Sequence, residues 1–296
     1  DAVRKRLVSD VPLGIFLSGG IDSSTVTYFA AQESATKIKT FSIGFQDASF
    51  DESRYFNMVA KQLQTDHHHK VFSEAELLSL MPKVFDLQDE PLADASILPT
   101  YLLSAFTRKQ VTVALGGDGA DELFAGYPTF TAHAYADWYS KIPQLITDPL
   151  ERLADRMPVS HDNMSLDFAV KQFIRGARAG GIHRDMEWMS AFNRAEQEQL
   201  FLPDVYGSSA IGESIRTIDS FFSETQARTD HDRILDFWQR GYLVDDILHK
   251  VDRASMYNSL EVRAPFLDYR VVEYVNNLPY AVKHRGYMTK FFLKQL

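Results

Sequence analysis

The chain has 296 residues, no cysteine and a net charge of −9. Without Cys there are no disulfides, thiolate zinc sites or cysteine nucleophile, and the acidic balance argues against a general nucleic-acid or membrane-surface binder. Hydrophobic residues make up 45% and charged residues 24%, a globular composition able to bury a sizeable core.

No apolar run is long enough to span a membrane. The opening Asp1-Ala2-Val3-Arg4-Lys5-Arg6 lacks the apolar stretch of a secretory signal, so a cytoplasmic location is expected. Both ends fall inside helical or mixed patterns, as in a domain excised from a longer chain.

The apolar run Val11 to Leu17 reads as a strand. It leads into Ser18-Gly19-Gly20-Ile21-Asp22-Ser23-Ser24 and a helix-compatible run, Thr25 to Gln32. A strand that delivers a glycine turn to a helix N-terminus offers free backbone N–H groups and the positive end of a dipole to an anion, most naturally phosphate. A Walker A loop would need Lys before its Ser/Thr. This loop carries Asp22 instead, which suits recruitment of a metal by a carboxylate.

Further strand and helix patterns alternate. Lys39 to Phe45 is β-branched and aromatic, Asp51 to Gln64 has helical spacing, Asp66 to Phe72 reads as a strand and Glu74 to Phe85 as a helix. Ile97 to Thr107 is again helical, and Val111 to Leu115 is a buried strand ended by Gly116-Gly117. The alternation predicts an α/β fold with right-handed βαβ units and a doubly wound parallel sheet. Ligands on such sheets sit at the carboxyl ends of the strands, where stretches 18–24, 43–46 and 116–122 converge.

From about residue 128 the strand patterns vanish. Tyr135–Leu153, Ser165–Arg178, Asp185–Leu202, Ile211–Arg228, Arg233–Ser259 and Arg270–Asn277 read as mainly helical.

Gly116-Gly117-Asp118-Gly119-Ala120-Asp121-Glu122 combines close-approach glycines with three carboxylates. It reads either as an acidic helix start that offsets the dipole or as the partner of Asp22 around Mg²⁺. Asp89-Glu90-Pro91-Leu92-Ala93-Asp94 reads equally as a solvated turn or a functional acidic loop. His67-His68-His69 would alternate faces on a strand and make a poor chelate. At helical spacing Lys250 shares a face with Arg253, and Asp245 with His249. Glu261 and Arg263 are either a structural pair or a substrate clamp. Lys290 stands among aromatics, where it either snorkels or reaches a pyrophosphate.

With SGGIDSS, FSIGF, GGDGADELFAGY, YLVDDILHKVDRASM, SLEVRAPFLD and the terminal KFFLK in place, the whole chain resembles the synthetase domain of glutamine-hydrolysing asparagine synthetases. These belong to the PP-loop ATP-pyrophosphatase superfamily. The resemblance implies an adenine nucleotide alpha hydrolase-like core over 1–127 and a helical part over 128–296 that completes the synthetase site. It implies ATP and Mg²⁺ as cofactors, adenylation of the aspartate β-carboxylate with release of pyrophosphate, and ammonia attack to give asparagine and AMP.

Residue by residue, Ser18, Gly19, Gly20, Asp22, Ser23 and Ser24 match the pyrophosphate loop, and Asp22 and Asp121 match the metal-binding aspartates. Phe16 and Ile43 fall where the family contacts the nucleotide, and Gly116-Gly117 where it often has Ser-Gly. Lys290 matches the late lysine that meets the phosphates. Asp118 stands where better-known members carry a glutamate implicated in forming the intermediate. Lys250, Asp252, Arg253, Glu261 and Arg263 lie in the segment associated with the amino-acid substrate.

The resemblance also implies a glutaminase domain in cis, whose Cys nucleophile this chain lacks; a homodimer is one assembly open to it. Alternative readings are an amidotransferase acting on a sugar acid or peptide, a β-lactam or lasso-type cyclase, and an inactive nucleotide-binding scaffold. Cyclases replace the acid at 118 with other groups, so Asp118 weighs against them.

Overall fold

A computed structural model describes residues 1–160, 162, 164–202, 204, 210–227 and 229–296. The chain forms two compact units. The first comprises Asp1–Leu123, Gly241–Pro279 and Leu293–Leu296, and the second Phe124–Arg240 and Tyr280–Phe292.

The first unit is built on strands β1 (Leu13–Phe16), β2 (Lys39–Phe45), β3 (Asp66–Phe72), β4 (Val113–Leu115) and β5 (Glu261–Arg263). They form one sheet in the order β3-β2-β1-β4-β5, with every neighbouring pair parallel. The expected doubly wound α/β sheet is therefore present. β5 corrects the expectation that strands end before residue 128. Its three residues pair with β4 from Val113↔Glu261 to Leu115↔Arg263, and so short a run has no periodicity of its own to read.

Side chains alternate across the sheet and separate two layers. On one face His67 and His69 pack on Phe56 of the helix Ser53–Leu63, with ring centroids 5.3 and 5.6 Å away. On the other, His68 stacks on Phe41 at 5.4 Å, and Phe41 meets Phe106 of the helix Ile97–Thr107 edge-on at 6.0 Å. His67 and His68, both half-buried, pair through Nδ1 with Thr40 Oγ1 and Gln110 Nε2, so these two are tied into the sheet's packing, while His69 is exposed. Phe41, Val111, Ala114 and Leu260 are almost wholly buried there, each large side chain contributing roughly 1.5–3 kcal/mol by burial.

The second unit is helical. Two long runs expected from periodicity are each two helices. Tyr135–Leu153 is interrupted between Pro128–Tyr139 and Gln144–Asp155, where Pro143 cannot donate to a continuing helix. Asp185–Leu202 is interrupted between Ile182–Met189 and Arg194–Leu200, where Asn193 and Glu196 form a capping box that starts a new helix. Leu166–Ala177 and Ala210–Glu224 match their expected segments closely, and Arg228 lies outside the described residues. Buried Phe130 and Trp238, ring centroids 5.6 Å apart, help form this unit's core.

The expected helix Arg233–Ser259 has three parts: an α-helix Asp230–Phe237, a π-helix Trp238–Leu248 and an α-helix His249–Met256. The wider π turn changes which side chains share a face, and π segments are frequent at functional sites.

Candidate active site

In the order β3-β2-β1-β4-β5 the direction of progression reverses between β1 and β4, which makes their carboxyl ends the switch point where α/β sheets bind ligands. The turns that leave these two strands are 17–20 and 116–119.

After β1, the Leu17 N–H donates to Phe41 O at 2.9 Å, and Ser42 Oγ donates to Leu17 O. The chain then turns. Ser18 N–H donates to Ser23 Oγ at 3.2 Å, the two hydroxyls lie 3.0 Å apart, and Gly20 N–H donates to Ser18 Oγ at 3.2 Å. These bonds tie the loop to the first turn of the helix Ile21–Glu33, with Gly20 at its N-cap. Gly19 takes φ +84°, and a Cβ there would lie 2.5 Å from Phe56 N, so only glycine fits. The helix begins inside the motif, four residues before the expected Thr25, which places Asp22, Ser23 and Ser24 in its first turn. Ser24 Oγ is buried without a hydrogen-bond partner among the described residues, which suits a loop shaped for an oxygen-rich anion.

The second turn lies against the first. A Cβ on Gly117 would stand 3.1 Å from Asp22 Cβ and 3.1 Å from Ser23 N. Beyond it, the short helix Ala120–Phe124 carries Asp121 and Glu122 in its first turn. Burial pushes the Asp118 carboxyl above its ordinary range, Asp121 adds to this, and Lys250 opposes it. No three acidic or histidine side chains among the described residues converge into an all-protein metal cage. A pair of carboxylates completed by phosphate oxygens is the arrangement Mg²⁺ commonly accepts, so Asp22 and Asp121 fit it by donor type.

Lys250 organises the neighbouring polar cluster. Its Nζ donates to Asp94 Oδ2 at 2.6 Å and to Ser96 Oγ at 2.8 Å, while Ser96 N–H donates to Asp94 Oδ1 at 2.8 Å. Burial works to raise the Asp94 carboxyl, but the Lys250 and Ser96 bonds hold it below its usual range. Burial and the Asp94 charge raise Asp246, against Lys250, the Tyr242 hydroxyl and His249. Burial, then Asp246 and Asp94, push Tyr242 up as well, with Glu122 adding to them. Arg253 pairs with Asp89, so Lys250 and Arg253 both reach the acidic loop 89–94, as their shared face predicts. That loop is therefore held by two cations.

The remaining candidates lie elsewhere. Arg263 donates to Glu261 Oε1 at 2.6 Å and to the carbonyls of Arg6 and Val8 at 2.8 and 2.7 Å, the geometry of a structural pair. Asp252 is exposed on its helix. Phe16 packs against the Phe41 core cluster, and Ile43 is a half-buried residue of β2 paired with Lys70. Lys290 belongs to the second unit, where it is buried, has φ +51° and donates its N–H to Phe124 O at 3.2 Å. Sequence reading missed Ser96, Tyr242 and Asp246; the i, i+4 spacing of Tyr242, Asp246 and Lys250 was the available signal.

The asparagine synthase family profile matches residues 1–296. Over its full length the chain is 32% identical to asparagine synthetase [glutamine-hydrolyzing] 1 of Bacillus subtilis, covering 45% of that protein. Over 90% of its length it is 34% identical to putative asparagine synthetase [glutamine-hydrolyzing] 2 of Methanocaldococcus jannaschii, covering 49% of it. It is also 28% identical over 96% of its length to amidase chry2 of Gibberella zeae. The chain spans about half the length of these curated relatives.

Proposed function

The chain belongs to the asparagine synthase family, and from that premise we propose that it is a carbon–nitrogen ligase that activates a carboxylate with ATP and forms an amide. The observation that carries the proposal is the contact of Gly117 with Asp22 and Ser23 at the sheet's switch point. It sets the start of the helix Ile21–Glu33 beside a second carboxylate-bearing turn.

In the proposed reaction an acceptor carboxylate oxygen bonds to the α-phosphorus of ATP while the bond from that phosphorus to the bridging oxygen of the β-phosphate breaks. Pyrophosphate leaves. Ammonia nitrogen then bonds to the acyl carbon, AMP departs with the bonding oxygen, and the nitrogen loses a proton. Residues 18–24 receive the pyrophosphate through backbone N–H groups and the helix dipole. Asp22 and Asp121 would hold Mg²⁺, which supplies charge neutralisation on the phosphate oxygens. Lys290, the family's late lysine, is assigned to the phosphates from the resemblance alone, and so is the role of Asp118 in forming the intermediate.

Aspartate is the proposed acceptor, and a glutaminase domain in cis is the proposed ammonia source, in line with the names of the two synthetase relatives. The amidase relative supports a second reading, the same chemistry on another carboxylate. Product analysis tests the class: ATP, aspartate and ammonium should give asparagine, AMP and pyrophosphate in equal amounts. ADP and phosphate as products would refute it.

A further inference from the structure

Glycine stands at 116, 117 and 119 in the turn after β4, and at two of these positions the backbone requires it. Gly119 takes φ +88°, in the left-handed region. Gly117 lies against Asp22 and the Ser23 backbone. Gly116 has neither reason. Its φ is not in the left-handed region, and its N–H donates to Arg263 O at 2.9 Å, continuing the ladder between β4 and β5. The first atom a Cβ at 116 would meet is Asp118 Oδ2, well inside contact distance. Next come Asp118 Cγ at 3.4 Å and Val262 Cγ1 at 3.6 Å, both ordinary contacts. The Asp118 carboxylate therefore fills the space that a side chain at 116 would take.

The turn around this carboxylate is pinned. A Cβ on Gly119 would run into the Leu267 side chain, so Leu267 covers the backbone there, and Asp22 and Ser23 hold it at Gly117. With the backbone fixed at 117 and 119, rotation about the side-chain bonds of Asp118 decides where its carboxylate lies. The bare Cα of Gly116 gives it a seat over the end of β4. Burial raises the Asp118 carboxyl, and its own backbone N–H acts against the rise by favouring the charged form.

Resting on the ligase reading above, we propose that Gly116 is a positioning residue: its missing side chain seats the Asp118 carboxylate over the end of β4, and any larger residue there turns that carboxylate out. Gly116 acts through Asp118 alone. It differs in this from Gly117, which acts on the backbone of the two turns.

The test is a double-variant cycle on the protein with ATP, Mg²⁺, aspartate and ammonium chloride, read by AMP release. Gly116→Ala should lower kcat by about tenfold or more, as for a reacting group displaced by about 1 Å, with KM for ATP and aspartate within about twofold. In an Asp118→Ala background the same change should cost less than about twofold, because the atom it displaces is gone. The carbon-13 resonance of the Asp118 carboxyl, assigned by its loss in Asp118→Ala, should move in Gly116→Ala. That of Asp268, held by Arg270 Nε at 2.8 Å, should stay in place. If Gly116→Ala is destabilised, Asp118→Ala should restore its melting temperature.

Wild-type kcat in Gly116→Ala would overturn the proposal, as would a loss of equal size in the Asp118→Ala background or an unmoved Asp118 resonance. A destabilisation that persists without the Asp118 carboxylate would place the clash elsewhere and also overturn it. No AMP release with any acid, from folded wild-type protein that binds ATP, would overturn the ligase reading and the kinetic role of Gly116 with it, while the resonance still decides the seat.

Discussion

Gly117 lies against Asp22, close enough that a Cβ at 117 would stand 3.1 Å from both Asp22 Cβ and Ser23 N. Neither neighbour can swing away cheaply, because one is the base of a side chain and the other is helix backbone. Gly117→Val should displace the two turns by a fraction of an ångström. We expect amide formation to fall by about a hundredfold, the scale of a small misplacement in a catalytic site, with the melting temperature changed little. Unchanged turnover would show that the contact does not set the geometry.

Asp22 and Asp121 are assigned to one metal. Asp22→Asn and Asp121→Asn should each raise the Mg²⁺ concentration needed for half-maximal activity and lower kcat, while circular dichroism stays that of wild type. The double variant should be little worse than either single one, as expected for groups that act as a unit. Independent, multiplicative losses would separate the two residues.

His67 makes the fold acid-sensitive. Burial, and then the neighbouring His69 and His68, lower its pKa from the ordinary 6.5 to about 4. Between those values the unfolded chain binds the extra proton, so stability rises with pH. The contribution is complete above 6.5 and is lost as pH falls through 4, on the order of 1–3 kcal/mol for a partly exposed group. Asn can keep a polar partner for Thr40 Oγ1, so His67→Asn should flatten stability against pH in this window. An equally steep curve in the variant would place the acid sensitivity elsewhere.

Lys250 and Asp94 are 156 positions apart in sequence and 2.6 Å apart in space. Removing one charge leaves the other largely shielded from solvent and without its counter-ion. Lys250→Met or Asp94→Asn should each destabilise the protein by about 3 kcal/mol, and the double variant should cost less than their sum. Additive losses in urea unfolding would show that the pair is not coupled.

These particulars show which features the sequence carries. Lys39–Phe45, Asp66–Phe72 and Ile97–Thr107 were legible to the residue because β-branched runs and helical spacing are local signals. The turns 18–24 and 116–122 were legible as turns at strand ends because paired glycines directly after an apolar run end the strand locally. β5 was not, because the hydrogen bonds of Glu261–Arg263 come from β4, far away in sequence. Asp246 was passed over for Asp245 because each stands four residues before a basic side chain, Lys250 and His249, and spacing alone does not choose between them. Arg263 kept two readings until its bonds to Glu261, Arg6 and Val8 were seen.

The claim that residues 18–24 hold a departing pyrophosphate is tested most directly by ATP–pyrophosphate exchange without ammonia. Labelled pyrophosphate should enter ATP when the acceptor carboxylate and Mg²⁺ are both present, and Asp22→Asn should abolish the exchange. Labelled ADP or phosphate in its place, or exchange that continues without any carboxylate, would contradict the account.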